Sequence, residues 1–199
     1  CLLLFGWRDF TLNPADISPW YDAVLHPVEK VNALLAAQEH RRSIKTHTPL
    51  DGIPYNPRST YVCVFRDPRD VFISMRSHLD NFVPSDFALD PGEDLSIPFR
   101  NWLYTSAEEG LSEARSLQWI TNHYQSFRRF DHLPNLHFMH YADMQSDLPG
   151  AVRGLARSLD IDVAPGDVAE ICRIAQFENM RDNPARFTPY AGTGVWKDD

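Results

Sequence analysis

The sequence predicts an α/β fold with a central parallel sheet. The apolar run from Tyr61 to Phe65 is short and rich in β-branched residues, which is typical of a strand buried on both faces of such a sheet. A second strand-like run lies at 136–140, and segments with helical spacing precede and follow each run. A chain of 199 residues suits one domain with a sizeable core, so we expect residues 1–199 to form a single domain.

The elements before residue 60 are a helix and a strand. Residues 28–39 are good helix formers with an apolar side, which predicts a helix. Residues 42–47 are predicted to form a strand that stops at Thr48-Pro49. Since alternate residues of a strand share a face, Lys45 and His47 should project to the same side. The competing interpretation is a polar strand end that faces solvent.

The segment from Thr60 to Phe82 is predicted to be a strand, a tight turn and a helix. Asp67 suits a helix N-cap and Pro68 the first helical position, where no amide donor is needed. Arg66 ends the strand, and Ser74 lies on the polar side of the helix, so both side chains can face one site. The carboxyl end of a parallel strand and a helix N-terminus both favour an anion. Alternatively, Arg66 pairs with a neighbouring carboxylate and Ser74 is a surface hydroxyl.

The remaining elements alternate in the same way. The strand at 136–140 is followed by Tyr141, which either faces the ligand side of the sheet or packs under the next loop. Phe177 and Met180 are three residues apart and therefore share a helical face, as an ordinary core contact would also require. Further helices are predicted at 98–109, 113–130, 148–159 and 165–175.

Charge and cysteine content limit the possible partners and the setting. The net charge of −8 argues against a broad surface for nucleic acid or for an anionic membrane. The three cysteines are widely spaced and lack a metal-ligand pattern, which favours a reduced, cytoplasmic setting. No apolar stretch approaches the ~20 residues of a membrane-spanning helix.

Two segments are the strongest anchors of a resemblance to a known family. The segment KTHTPL resembles the KTHLP segment of cytosolic-type sulfotransferases, and FRDPRDVFIS resembles their 3′-phosphate-binding segment. The two occur in the family's order, separated by a short turn. The resemblance implies the three-layer α/β/α fold of P-loop NTPases. It also implies transfer of a sulfuryl group from 3′-phosphoadenosine-5′-phosphosulfate (PAPS) to a small-molecule hydroxyl or amine, without a metal.

The resemblance also implies roles for individual residues. His47 would be the general base, and Lys45 would lie beside the reacting centre. Arg66 and Ser74 would hold the 3′-phosphate. The segments NLHFMHYADM and FENMRDNP resemble the family's adenine-binding segments, and they imply that role for the remaining site residues, Tyr141, Phe177 and Met180.

Two segments of the family pattern are incomplete in this sequence. No segment matches the family's YPKSGTTW loop, which holds the 5′-phosphosulfate, and we expect it upstream of Cys1. The final AGTGVWKDD resembles the family's glycine-rich segment but lacks the expected basic residue before its first glycine. We therefore expect a loop to be missing near Tyr190, and this second contact to the 3′-phosphate remains unassigned.

Two other functions remain open at this point. A nucleoside or small-molecule kinase would share the parallel sheet but would bind a nucleoside triphosphate with magnesium. A non-catalytic nucleotide-binding protein would keep the fold without turnover. The acceptor is not specified, although aromatic residues could form an apolar wall for it or simply complete a core; these are Trp20, Phe82, Phe87 and Trp102.

Overall fold

The computed structural model describes residues 1–6, 14–23, 27–81, 94–107, 116–188 and 196–197. The described chain divides into two compact units. The first comprises residues 1–48 and 147–193, and the second comprises residues 49–146 and 194–199. Each unit has a hydrophobic core of its own. The expectation of a single domain stays a prediction.

The second unit contains the parallel sheet. Strand β1 is Tyr61–Phe65 and strand β2 is Leu136–His140, both with the bounds that the sequence predicts. The strands pair in parallel, with Phe65 opposite His140 at the carboxyl end. The core below the sheet consists of Leu50, Cys63, Phe127 and Leu136. The helices of this unit are α4 (Pro68–Asp80), α5 (Ser96–Tyr104), α6 (Leu117–Arg128) and α7 (Tyr141–Ser146), with a 3₁₀ turn at Leu50–Gly52.

The first unit is helical in its described part. Its core is formed by Val152, Val168, Ile171 and Cys172, against which Leu2 and other partly buried residues pack. The helices are α1 (Leu2–Phe5), α2 (Pro14–Ile17), α3 (Val28–Ala37), α8 (Leu148–Ser158), α9 (Pro165–Ile174), α10 (Phe177–Arg181) and α11 (Pro184–Phe187).

The helix starts follow the capping signals in the sequence. The Asp67 carboxylate accepts a hydrogen bond from the Arg69 amide, and Pro68 opens α4. Asp147 accepts in the same way from Gly150 and caps α8. These contacts satisfy amide donors that have no partner inside the first turn.

The predicted strand at 42–47 is wrong. Lys45 alone pairs, in an isolated parallel bridge with Trp20. The amides of His47 and Thr48 donate instead to the carboxylate of Asp22. Because a side chain takes the hydrogen bonds that a neighbouring strand would need, the pairing cannot continue past Lys45.

Burial of β1 on both faces is also wrong. Cys63 points into the core and is 6% exposed, whereas Val62 and Val64 on the opposite face are 38% and 57% exposed. An apolar run shows that a strand can be buried, but tertiary packing decides which of its faces is covered.

Candidate active site

The predicted site residues fall into two groups, one in each unit. Arg66, Ser74 and Tyr141 belong to the second unit. We call them the nucleotide group. Lys45 and His47 belong to the first unit and form the catalytic group; Phe177 and Met180 are also in that unit. The convergence of Arg66 and His47 on one site stays a prediction.

Strand register brings Arg66 and Tyr141 together. Each is the first residue after its strand, and the two strands end opposite each other. The Arg66 guanidinium carbon lies 4.5 Å from the centroid of the Tyr141 ring. The hydroxyl of Tyr141 accepts a hydrogen bond from Gln145 one turn later, at 3.1 Å. The guanidinium thus rests on an aromatic face, where the ring's negative face stabilises the cation.

The competing interpretation, that Arg66 pairs with a carboxylate, holds only in part. Its Nε lies 3.6 Å from Oδ2 of Asp70, which is beyond hydrogen-bond distance. This Nε is shielded from solvent and has no hydrogen-bond partner among the described residues. A shielded donor without an acceptor is costly, so an anion that reached this nitrogen would be stabilised there. The residues therefore fit a phosphate.

The carboxylate of the neighbouring Asp67 forms an ion pair with Arg69 and not with Arg66. This carboxylate accepts from the side chain of Arg69, at 2.6 Å and 3.0 Å. Hydrogen bonds from the Arg69 side chain and amide lower the pKa of Asp67 to about 2. Asp67 therefore remains ionised at neutral pH and paired with Arg69.

Ser74 lies on the polar side of α4, one turn after Asp70. Its side chain is exposed, as a ligand contact requires. One turn further, the ring of His78 meets the edge of Trp196 at 5.1 Å. The amide of Lys197 donates to the carbonyl of Asn81 at 2.9 Å. The WK pair of the glycine-rich segment is thus held against the end of α4, a contact that sequence reasoning left unassigned.

The catalytic group is built around the ring of Trp20. The Lys45 ammonium lies 4.1 Å from the centroid of this ring. The imidazole of His47 lies 4.4 Å from it, tilted by 50°. Both side chains contact one ring, as the prediction of a shared face requires. Trp20, considered for an acceptor wall, contacts both predicted catalytic side chains, and its place in an acceptor wall stays a prediction.

Asp22 is the residue of this group that sequence reasoning missed. It accepts from the hydroxyls of Thr46 and Thr48 at 2.7 Å and 2.5 Å, and from the amides of His47 and Thr48. Partial burial raises the pKa of Asp22, but these hydrogen bonds outweigh it and lower the pKa to about 2. The only sequence signal was the pair of threonines around His47, whose hydroxyls needed an acceptor.

The adenine-binding candidates of the first unit lie at its surface. Phe177 is 62% exposed and Met180 is 36% exposed, both on α10. An ordinary core contact is therefore the wrong interpretation of this pair. An exposed aromatic ring beside a thioether is a surface on which a flat base can stack.

Other candidates have different surroundings. Trp102 is buried at 6% exposure and packs against Phe72 and Phe99, so it completes a core rather than an acceptor wall. Phe82 and Phe87 lie outside the described residues. Burial raises the pKa of Cys63 to about 12, which makes this thiol a poor nucleophile.

The described ranges contain neither a metal-binding cluster nor a membrane-spanning helix. In that part of the chain, no cluster of His, Cys, Asp or Glu is arranged to hold a metal ion. None of the described helices is long and apolar enough to cross a membrane.

Known proteins resemble this chain along its length. The sulfotransferase domain family matches residues 7–199. A glycolipid sulfotransferase of Mycobacterium bovis (strain BCG / Pasteur 1173P2) is 33% identical, over 100% of this chain and 69% of that protein. Retinol dehydratase in complex with androsterone and the inactive cofactor PAP is 25% identical, with a TM-score of 0.66 over 86% of this chain and 49% of that one.

A mouse sulfotransferase complexed with PAP supports the fold alone, since it is 24% identical. Its TM-score is 0.64, over 79% of this chain and 53% of the mouse chain. The chain thus spans about half the length of these solved structures. The predicted α/β fold class is confirmed, and the family match decides against the kinase alternative. The chain belongs to the sulfotransferase family.

Proposed function

We propose that the protein transfers a sulfuryl group from PAPS to a hydroxyl or amine of a small-molecule acceptor. The observation that carries the proposal is the Arg66 guanidinium at the end of β1. It rests on Tyr141, and its shielded Nε lacks a hydrogen-bond partner among the described residues. An arginine in this state is suited to a phosphate, and PAPS carries one at its 3′ position.

The nucleotide group would hold the donor by its 3′-phosphate and adenine. Arg66 donates to the phosphate, and the Ser74 hydroxyl adds a second donor from the exposed side of α4. Tyr141 lies beside the base. Phe177 and Met180 of the first unit are the further candidates for contact with the adenine, and their exposure supports this role.

The transfer step assigns the proton and the leaving group to separate side chains. The acceptor oxygen or nitrogen forms a bond to sulfur while the bond between sulfur and the phosphate oxygen breaks. His47 takes the proton of the acceptor, and the bonding electrons leave with adenosine 3′,5′-bisphosphate. Lys45 stabilises the negative charge that accumulates on that leaving group. Catalysis then rests on positioning and charge stabilisation, as in phosphoryl transfer.

A hydroxyl on a lipid-linked sugar is the acceptor to test first. The mycobacterial relative is a glycolipid sulfotransferase, and it aligns with 100% of this chain. Androsterone, bound in the retinol dehydratase structure, is an apolar alcohol and represents a second acceptor class. We also propose a cytoplasmic setting, which the three unpaired cysteines favour.

The test is donor binding and turnover by the full-length protein. We expect calorimetric titration to show that adenosine 3′,5′-bisphosphate binds without a metal ion, and that ATP with magnesium does not compete. His47→Ala and His47→Gln should lower turnover roughly 10²–10⁴-fold while affinity for the bisphosphate is kept. A variant at position 47 with the wild-type rate would remove His47 as the base. Binding without turnover by the wild type would favour the non-catalytic alternative.

A further inference from the structure

We infer that Asp22 is a positioning residue, which holds the Thr46–Thr48 turn so that the imidazole of His47 is correctly placed for proton transfer. The inference rests on the proposed function and deepens it. It starts from a contact between two segments that lie 24–26 residues apart in the chain.

The carboxylate of Asp22 accepts hydrogen bonds from four donors of the Thr46–Thr48 turn. Oδ2 of Asp22 accepts from the hydroxyls of Thr46 and Thr48 and from the amides of His47 and Thr48, at 2.5–3.1 Å. The second oxygen, Oδ1, accepts from the His47 amide at 3.3 Å. The donors lie on both sides of His47, so the main chain that carries the imidazole is fixed before and after it.

The residues next to Asp22 fix the side chains of the same turn. The amide of Lys45 donates to the carbonyl of Pro19 at 3.0 Å, and the amide of Tyr21 donates to the carbonyl of Lys45 at 2.9 Å. This bridge sets the ring of Trp20 against the Lys45 ammonium and the imidazole. The segment from Pro19 to Asp22 therefore orients main chain and side chains together.

A charged acceptor is suited to this position because one oxygen, Oδ2, accepts from all four donors. An asparagine would accept from them with a neutral oxygen, and these hydrogen bonds would be weaker. Substitution should therefore allow the turn to shift, and a shift of about 1 Å at a catalytic group can reduce the rate about 100-fold. Lys45 and His47 would still be present, but they would be misplaced.

The experiment measures kcat and donor affinity separately in the full-length protein. We expect Asp22→Ala to lower kcat about 100-fold and Asp22→Asn about 10-fold, with the Kd for adenosine 3′,5′-bisphosphate changed less than about twofold. Thr48→Val removes one donor and leaves the carboxylate in place, so it should lower kcat about threefold in a protein that still folds. Asp147→Ala is the matched control, because it removes another aspartate cap of the first unit and should leave kcat unchanged.

A double-mutant cycle separates positioning from general damage. If Asp22 acts through His47, Asp22→Ala should lower kcat less than about twofold in the His47→Ala background. An equal loss with and without His47 would overturn the inference, as would an equal loss in Asp147→Ala. Failure of the proposed function would look different, since the wild type itself would then lack donor binding or sulfuryl transfer, or His47→Ala would keep the wild-type rate.

Discussion

The nucleotide group and the catalytic group are built in opposite ways. In the catalytic group, a carboxylate and a bridge from a distant segment hold the turn around His47, and the amides of His47 and Thr48 donate to that carboxylate. The shielded Nε1 of the neighbouring Trp20 has no hydrogen-bond partner among the described residues. In the nucleotide group, Arg66 has an ion-pair contact of 3.6 Å, and its Nε lacks a hydrogen-bond partner among the described residues. Ser74 on the same helix side is exposed.

The difference matches the work that we propose for each group. A general base must be in place before the proton moves, so hydrogen bonds that fix His47 in advance favour catalysis. A phosphate-binding group instead needs donors that the rest of the protein has not already satisfied. The unmatched Nε of Arg66 is therefore suited to binding, whereas the loss of the acceptor for the His47 amide would weaken catalysis.

The largest effect on donor affinity should come from removing the unmatched guanidinium. We expect Arg66→Ala to lower the affinity for adenosine 3′,5′-bisphosphate about 10–100-fold, because a hydrogen bond to a charged group contributes about 1.5–3 kcal/mol. Calorimetric titration of the full-length variant measures this directly. The turnover of bound donor should change less than the affinity does.

Arg69→Ala is the matched control for Arg66→Ala. Arg69 lies three positions later, and its side chain is 81% exposed. It already forms an ion pair with Asp67, in which a guanidinium nitrogen lies 2.6 Å from Oδ2. Its removal deletes the same charge and should change the affinity less than about twofold, since exposed charges are screened by salt. Equal losses in both variants would mean that general charge, and not the Arg66 contact, draws the nucleotide.

A smaller effect is expected from the second donor of the nucleotide group. Ser74→Ala should weaken bisphosphate binding about threefold to tenfold, since a neutral hydrogen bond contributes about 0.5–1.5 kcal/mol. Ser77→Ala on the same helix is the control, because its hydroxyl already donates to the carbonyl of Ile73 at 3.4 Å. If Ser74→Ala and Ser77→Ala bind alike, Ser74 does not contact the phosphate.

The same contrast explains what the sequence could predict. Arg66 and Tyr141 follow strands whose bounds can be predicted from local apolar runs, and parallel pairing of these strands brings the two residues together. The cap at Asp67 is equally local, since its partner is two residues away. The contact between Arg66 and Tyr141 was therefore predictable, whereas the role of the nucleotide group stays a prediction.

The geometry of the catalytic group was not predictable from the sequence, and the roles of Lys45 and His47 stay predictions. The turn at His47 depends on Asp22, more than 20 residues away in the sequence, and local propensity contains no information on that contact. The sequence therefore indicated a strand at 42–47 where a side chain takes the hydrogen bonds. The exposure of Phe177 and Met180 was likewise not predictable from the sequence, because core contacts and ligand contacts use the same residue types.

The last expected effect is on stability, which should depend on pH because of Asp22. Its pKa in the folded protein is about 2, below the usual 3.8, so the ionised carboxylate stabilises the native state. This contribution is fully present above about pH 4 and is lost as the pH falls through about 2. Because the group is partly exposed, we expect about 1 kcal/mol at neutral pH. Asp22→Asn should therefore be less stable than the wild type by about that amount, with a difference that shrinks below pH 4.

Urea unfolding at pH 7, 4 and 3 tests this, with Ile171→Val as the control. Ile171 is a buried core residue of the same unit, and its truncation costs about 0.5–1.5 kcal/mol without any ionisable group. The deficit of the control should stay constant with pH while that of Asp22→Asn falls. A deficit of Asp22→Asn that stayed constant down to pH 3 would mean that the carboxylate is not held by charged hydrogen bonds. The contrast between a turn held at His47 and an unmatched nitrogen at Arg66 would then be lost.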